Sequence, residues 1–371
     1  MSECIYVPDA CFSAQAAAFA TLHAGVATPG FVANIEAQVE TIEAGSLTLP
    51  VTINDATREN AWVCSPLTTY SRYAREETRR VAPRALAMPL GGVIGAADWW
   101  LRRAELDCAV SVNNWLLSTN LYPAANGIDF SGLSAACQLR WPRHAVWFRS
   151  LNFVQHADWL HALAAAGFDL IPTRQVYLFR DIPHAAARHQ NLRRDLQLLD
   201  ATPLTPVRHD EFAGADFMQS ELLYAQLYLD KYSRLNPRYT AAFMEAWHRA
   251  GLLEFAGFRD DTGVLRAVVG MFGQGSLLSA PIVGYDTSWP ASAGLYRLLM
   301  AHVFRTTLER KAVLNLSAGA AHFKRLRGGE PQIEYSAVLS RHLPAATRRT
   351  LSGLRALTTW LGVPVMRRFQ L

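Results

Sequence analysis

Two adjacent side chains at the end of a predicted strand could carry out proton transfer. Tyr285 and Asp286 lie near the end of the apolar run LLSAPIVGYDT (277–287), which predicts a strand. A carboxylate at this position could accept a proton from a nucleophile, and the phenol could protonate a leaving group or donate a hydrogen bond to a carbonyl oxygen. The same residues also suit a turn-capping aspartate and a half-buried packing tyrosine, so both interpretations stay open.

Three other segments carry polar or aromatic side chains that could bind a substrate. The run VNNWLLSTNLYP (112–123) is unusually polar for an apolar segment, and FRSLN (148–152) places polar groups at a strand end. On a predicted helix, Tyr228, Lys231 and Tyr232 share one face. Packing of the core is the alternative interpretation of this tyrosine stripe. The predicted substrate-binding residues are Asn114, Trp115, Arg149, Asn152, Tyr228, Lys231, Tyr232 and Ser317.

The sequence lacks the motifs of several large enzyme classes. It contains no GxSxG, HExxH or GxxxxGK[ST] motif, and no GxGxxG after a strand. Its histidines show no metal-ligand spacing, so we expect no metal. The five cysteines are scattered and form no CxxC pair, which argues against a disulfide framework and favours a reducing cytoplasm.

Composition indicates a globular chain with a large core. The 371 residues are 50% hydrophobic and 18% charged, and no apolar run of about 20 residues lacks charges, so we expect no transmembrane helix. The net charge of +5 is concentrated at the C-terminus, where residues 323–371 hold nine Lys or Arg and two Glu. We expect either a solvated helix face or peripheral contact of this tail with a membrane or a lipid-like substrate.

Hydrophobic patterns predict an alternation of strands and helices in both halves of the chain. The first half ends in a β-α-β unit at 145–181, and a polar run at 187–199 predicts a crossing helix. In the second half the predicted order is α, α, β, β, β, α, β, α, β. These predicted elements are helices 217–235 and 239–251, strands 252–260, 264–273 and 277–287, helix 295–310, strand 312–317, helix 319–328 and strand 332–340.

This order resembles the GNAT acyltransferase fold between about residues 217 and 340. The motifs that carry the resemblance are SAPIVGYDT (279–287), GLYRLLM (294–300) and LNLSAGAAHFKRLRGG (314–329). The first half resembles a degenerate second copy, and two copies joined by a helical crossover resemble the FemAB-like and cellulose-associated acyltransferases.

The resemblance implies an α/β (α+β) fold with two GNAT-like lobes. Each lobe would be a mixed, mostly antiparallel sheet flanked by helices. The implied domains are a degenerate N-terminal lobe at 1–182, a catalytic lobe at 183–345 and a basic helical tail at 346–371.

The resemblance also implies where a thioester donor would bind. In GNAT enzymes the fourth strand diverges from the fifth, and the amides of the following helix bind the CoA pyrophosphate. This places acyl-CoA at Ser292, Ala293, Gly294, Leu295 and Tyr296. Tyr296 stands where the family pattern has its second Gly or Ala. Lys324 corresponds to a lysine that binds an anionic substrate or stabilises an oxyanion in FemAB-like relatives.

We therefore expect an N-acyltransferase that moves an acyl group from acyl-CoA, or from a carrier-protein thioester, to a small-molecule amine. Asp286, Tyr285 and Lys324 are the predicted catalytic residues. An aminoacyl-tRNA-dependent transferase of the FemAB-like type is the first alternative. A non-catalytic GNAT-like scaffold or binding protein is the second.

Overall fold

The computed structural model describes residues 9–57, 59–81 and 83–369, and these residues divide into two units. The N unit comprises 9–29, 34–176 and 332–369, and the C unit comprises 30–33 and 177–331. The chain therefore returns to the N unit at residue 332.

Strands and helices alternate along most of the described chain. The strands are β1 Gln38–Ala44, β2 Leu47–Asp55, β3 Cys108–Val112, β4 Ala145–Leu151, β5 Asp169–Phe179, β6 Thr205–Val207, β7 Glu254–Arg259, β8 Leu265–Gln274, β9 Leu277–Tyr285, β10 Val313–Asn315 and β11 Glu330–Leu339. The α-helices are α1 Asp9–Ala24, α2 Thr28–Phe31, α3 Pro66–Thr68, α4 Ala74–Val81, α5 Arg84–Arg103, α6 Phe130–Arg140, α7 Ala157–Ala165, α8 Ile182–Arg188, α9 Gln190–Ala201, α10 Gly214–Tyr224, α11 Ala241–Arg249, α12 Leu295–Glu309, α13 Ala321–Arg325, α14 Ala345–Leu357 and α15 Val363–Phe369. Wider π-helical turns follow α3, α10 and α14 at Thr69–Tyr73, Ala225–Tyr232 and Thr358–Gly362.

The sheet of the N unit has the order β1-β2-β3-β4-β11-β5. Strands β1, β2 and β3 are antiparallel, and β3 then runs parallel to β4. Strand β11 pairs antiparallel to β4, which explains why the last part of the chain folds with the first half. Trp147 on β4 and Trp159 on α7 are almost fully buried in this unit.

The sheet of the C unit has the order β5-β10-β9-β8-β7-β6, with only the end of β5 belonging to this unit. Strands β6 to β9 are antiparallel, β9 is parallel to β10, and β10 is antiparallel to β5. Helix α12 packs on this sheet through Leu299, Val303 and Phe304, which belong to one buried core. The predicted fold class, a mixed α/β chain with a mixed sheet flanked by helices, is confirmed.

The elements predicted between 217 and 340 occur where the sequence places them. No helix is predicted from the sequence at α5. Pro89 and the glycines near it disfavour a helix, yet the helix continues through Pro89. None of the helices in the described ranges is both long and apolar enough to cross a membrane.

Candidate functional site

Strands β9 and β10 separate from each other in the C unit. Their parallel register runs only from Val313↔Leu277 to Asn315↔Ser279, where β10 ends. Strand β9 continues to Tyr285, so its last six residues extend beyond this pairing. An early end of the pairing between these two strands is the arrangement implied by the resemblance to GNAT enzymes.

Helix α12 begins directly after β9 and the short turn that follows it. Gly294, the residue that precedes the helix, has a left-handed backbone with φ of +64°, and any side chain there would also lie 3.1 Å from Leu198 Cδ2. The amide groups of the first helical turn have no acceptor within the helix. The α12 N-terminus is therefore suited to an anionic group.

Aromatic rings line the start of α12. The ring of Tyr296 lies 6.1 Å from that of Tyr285 and 4.8 Å from that of Phe323. Burial raises the pKa of Tyr296, and the nearby tyrosines raise it further, so its phenol is neutral. Tyr296 makes this position bulky where the family pattern has a small residue.

The ammonium group of Lys231 lies beside the phenol of Tyr285. The Lys231 Nζ to Tyr285 Oη distance is 3.4 Å, and Nζ is 5.9 Å from the ring centroid. Lys231 belongs to the π-helical turn Ala225–Tyr232, a wide winding that is frequent at functional sites. The ring of Tyr232 lies 6.1 Å from that of Tyr228 on the same turn. The structure thus brings the predicted residues Tyr228, Lys231, Tyr232, Tyr285 and Tyr296 into one part of the C unit.

Both carboxylate oxygens of Asp286 are engaged in a turn. Oδ1 accepts hydrogen bonds from the backbone and hydroxyl of Ser288 at 2.9 and 2.5 Å, and Oδ2 pairs with Arg266 at 2.8 Å. Burial alone would raise the pKa of Asp286, but the bonds from Ser288 and Arg266 outweigh it and lower the pKa. These contacts are those of the turn-capping aspartate that the sequence also allowed.

Lys324 is buried against the loop that follows β10. Its Nζ donates to the carbonyl oxygens of Leu316, Ser317 and Ala318 at 2.7, 3.2 and 2.8 Å. Ser317 and Ala320 have positive φ values of 59° and 46°, which are costly for residues with a side chain. Lys324 therefore stabilises a strained loop at the open end of β10.

The residues predicted in the first half lie in the N unit. Asn114 accepts a hydrogen bond from Arg149 Nη1 at 2.8 Å. Trp115 is fully buried against Phe12 and Phe19, as a core residue. Asn152 Nδ2 donates to Gln155 Oε1 at 3.0 Å, and Asn152 Oδ1 accepts from the backbone N–H groups of Val154 and Gln155 at 3.1 and 2.9 Å. Within this predicted group, Arg149 and Asn114 are hydrogen-bonded to each other.

Sequence reasoning missed Asp195, which fixes the start of α12. This fully buried carboxylate on α9 accepts from Arg297 Nε at 2.7 Å and Arg327 Nε at 2.5 Å. Asp195 follows Leu192 by three residues, so it falls on the buried face of its helix. An aspartate at an apolar-face position is the sequence signal that could have revealed it.

The described residues contain no group of three or more His, Cys, Asp or Glu side chains placed to hold a metal ion. No family model matches the sequence. No curated protein matches it either.

Several solved structures resemble the fold. The C-terminal domain of a putative lysylphosphatidylglycerol synthetase from Agrobacterium fabrum is 15% identical, with a TM-score of 0.45 over 64% of this chain and 79% of that one. FemX is 11% identical, with a TM-score of 0.44 over 57% of this chain and 79% of its own. A GCN5-related N-acetyltransferase from Kribbella flavida is 10% identical, with a TM-score of 0.36 over 88% and 94% of the two chains. At these identities the similarity concerns the fold.

Proposed function

We propose that the protein is an N-acyltransferase whose C unit binds an acyl thioester where β9 and β10 separate. The observation that carries the proposal is the cleft geometry itself: β9 extends beyond its pairing with β10, and α12 starts across its end. An extended thioester could enter between the strand ends, with its anionic part at the α12 N-terminus. Positioning supplies much of the rate in such a reaction, because amines attack thioesters without a covalent enzyme intermediate.

Tyr285 and Lys231 are the proposed catalytic pair. The acceptor amine forms a new C–N bond with the thioester carbonyl carbon, and the C–S bond breaks. The Tyr285 phenol protonates the leaving thiolate, and the proton lost by the amine returns to the phenolate. The Lys231 ammonium, 3.4 Å from the phenol oxygen, stabilises the negative charge that develops there.

Asp286 and Lys324 have a structural role in this proposal and do not transfer protons. Asp286 holds the end of β9 through Arg266 and Ser288, and its lowered pKa makes it a weak base. Lys324 holds the loop after β10. Both are positioning residues that keep the walls of the cleft in place.

The proposed donor is acyl-CoA, and the proposed acceptor is a small-molecule amine. Ser292 is exposed just before α12, so Ser292→Glu places a negative charge where the CoA phosphates would bind. We expect CoA at about 100 times its dissociation constant to add roughly 2.7 kcal/mol to the unfolding free energy of the wild type. Ser292→Glu should reduce this stabilisation, as measured by thermal-shift titration.

Ala215→Glu provides the matched control for this substitution. Ala215 is an exposed residue in the first turn of α10, another helix of the C unit. The same charge there should leave CoA binding unchanged. Equal CoA affinity in wild type and Ser292→Glu would contradict a phosphate site at the α12 N-terminus.

An aminoacyl-tRNA donor is the second candidate. The observation that favours it is the ring of Tyr296, which occupies the position of a small residue in CoA-binding loops. In that case bulk tRNA should stabilise the protein in the same titration while CoA does not. The tRNA affinity should also fall steeply as salt is raised.

Exposed apolar side chains on two helical segments of the N unit support a membrane contact. Met88 and Trp99 on α5 are 82% and 61% exposed, and Trp360 in the tail is 82% exposed. Arg367 and Arg368 near the end of α15 add positive charge. Tryptophans and arginines on an apolar helical surface are typical of segments that lie in the interface of an anionic membrane.

We expect Trp360→Ser combined with Met88→Ser to reduce co-sedimentation with vesicles of anionic phosphatidylglycerol. Point changes are preferable to truncation, because α14 buries Leu351 and Leu354. Leu139→Ser is the control, since Leu139 is 86% exposed elsewhere on the N unit. Unchanged co-sedimentation of the double variant would exclude this surface.

A further inference from the structure

Arg149 is a buried arginine without a counter-ion. It lies on β4 and is 8% exposed. Its Nη1 donates to the carbonyl oxygen of Val63 at 2.7 Å and to Asn114 Oδ1 at 2.8 Å. The ion pairs of the described residues do not include Arg149. A buried charge is costly unless a partner of opposite sign compensates it.

The nearest charged groups leave this region with an excess of positive charge. Arg174 forms an ion pair with Glu334, with 2.7 Å between Arg174 Nε and Glu334 Oε1. The guanidinium groups of Arg149 and Arg174 both lie over the Trp62 ring, at 5.1 and 4.7 Å from its centroid. Burial and then repulsion by Arg174 lower the pKa of Arg149. Glu77 also interacts electrostatically with Arg174 but forms its own ion pair with Arg80, so Arg149 and Arg174 share the carboxylate of Glu334.

The other titratable side chains around Arg149 do not supply the missing charge. Burial raises the pKa of the Cys64 thiol to about 11, so this group is neutral. Burial also raises the pKa of Tyr122, whose phenol donates to the backbone carbonyl of Arg149 at 2.5 Å. With both groups neutral, the balance of Arg149, Arg174 and Glu334 is one positive charge.

The orientation of the Arg149 guanidinium is fixed by its neighbours. Asn114 Nδ2 donates to Thr52 Oγ1 at 2.7 Å and to the carbonyl of Val63 at 3.1 Å, which directs its Oδ1 towards Arg149. Nη1 uses both of its hydrogens on Val63 and Asn114. Within the described ranges, the Nε and Nη2 edge has no hydrogen-bond partner. This edge matches the two oxygens of a carboxylate.

We infer that the N unit binds a ligand carboxylate at the Nε and Nη2 edge of Arg149. One negative charge balances the excess, whereas a phosphate dianion would exceed it. The site is prebuilt, because Val63, Asn114 and Trp62 already hold the guanidinium. The inference does not depend on acyl transfer in the C unit.

The test uses the full chain and three probes at constant ionic strength. N-acetylglycine carries a carboxylate, N-acetylglycinamide is its neutral analogue, and inorganic phosphate is the competing anion. In isothermal titration calorimetry with each probe at up to about 50 mM, N-acetylglycine should bind more tightly than N-acetylglycinamide or phosphate. It should also raise the melting temperature.

Two matched variants assign the binding to Arg149. Arg149→Gln should weaken N-acetylglycine binding by about tenfold or more, as expected for loss of charge-assisted hydrogen bonds. Arg140→Gln should leave it unchanged. Arg140 also lies over a tryptophan in the N unit, 4.9 Å from the Trp141 ring, but it has Glu40 as its counter-ion.

Three results would overturn the inference. These are equal binding of N-acetylglycine and its amide, stronger binding of phosphate, and no carboxylate binding over the whole range. Unchanged affinity of Arg149→Gln for N-acetylglycine would show that the carboxylate binds at another site. If Arg149→Gln does not fold, the selectivity of the wild type among the three probes still decides. Because no acyl donor is present, failure here is separate from failure of the proposed activity.

Discussion

Tyr285→Phe is expected to lower kcat by about 10²-fold or more, the usual contribution of a general acid. The variant removes only the phenol oxygen, whose hydrogen-bond partner is Lys231 at 3.4 Å. Tyr285 is half-buried at the end of β9, so the unfolding free energy should change by no more than about 0.5 kcal/mol. Turnover is measured as release of the thiol from the acyl donor that binds the cleft.

Lys231→Met tests the contribution of the ammonium group to the Tyr285–Lys231 pair. If the ammonium acts through the phenol, Lys231→Met should cost little further activity in the Tyr285→Phe background, because the two residues act as one unit. Tyr335→Phe is the control for Tyr285→Phe and should keep full turnover, since Tyr335 is a half-buried strand tyrosine that packs on Phe153 in the N unit. Full turnover by a folded Tyr285→Phe variant would contradict the proposed role of the phenol, whereas absence of turnover in the wild type would favour a non-catalytic binding protein.

Lys324→Met is expected to lower the free energy of unfolding by about 3 kcal/mol. The substitution keeps the length of the side chain and removes the donors to three carbonyl oxygens, those of residues 316, 317 and 318. Buried carbonyls that lose their partners keep their full desolvation cost. Urea unfolding should show a lower midpoint with an unchanged slope.

Lys311→Met is the control for the loss of a lysine, because Lys311 is exposed. Lys324→Arg should not restore stability, since a planar guanidinium cannot take the place of a compact ammonium among three converging carbonyls. A Lys324→Met variant as stable as the wild type but without turnover would reverse the assignment. The ammonium would then act directly on the reacting groups, the role that the family resemblance implies.

The sequence alone predicted the elements of the second half, because their signals are local. The helix 295–310 and the strand 277–287 are visible as apolar patterns bounded by turn residues, and both occur as α12 and β9. Helix α5 shows the limit of such signals. Trp100 of this helix packs so closely on Gly353 of α14 that a side chain at position 353 would clash, and such tertiary contacts outweigh the helix-breaking effect of Pro89.

The partners of the polar side chains were decided only by the tertiary structure. Residue types at a strand end selected Tyr285 and Asp286 as candidates, and the family resemblance selected Lys324. A sequence pattern does not reveal which groups lie within hydrogen-bond distance. Lys231 and Tyr285 are 54 residues apart along the chain and 3.4 Å apart in the C unit. Asp286 and Lys324 are instead engaged by a turn and by backbone carbonyls.

The charge balance around Arg149 is non-local for the same reason. Glu334 is 160 residues from Arg174 in sequence and pairs with it through neighbouring strands of the N unit. Electrostatic compensation depends on distance in space and on burial. The sequence therefore determined which residues could carry chemistry, and only the folded chain determined which of them are already satisfied and which remain available to a ligand.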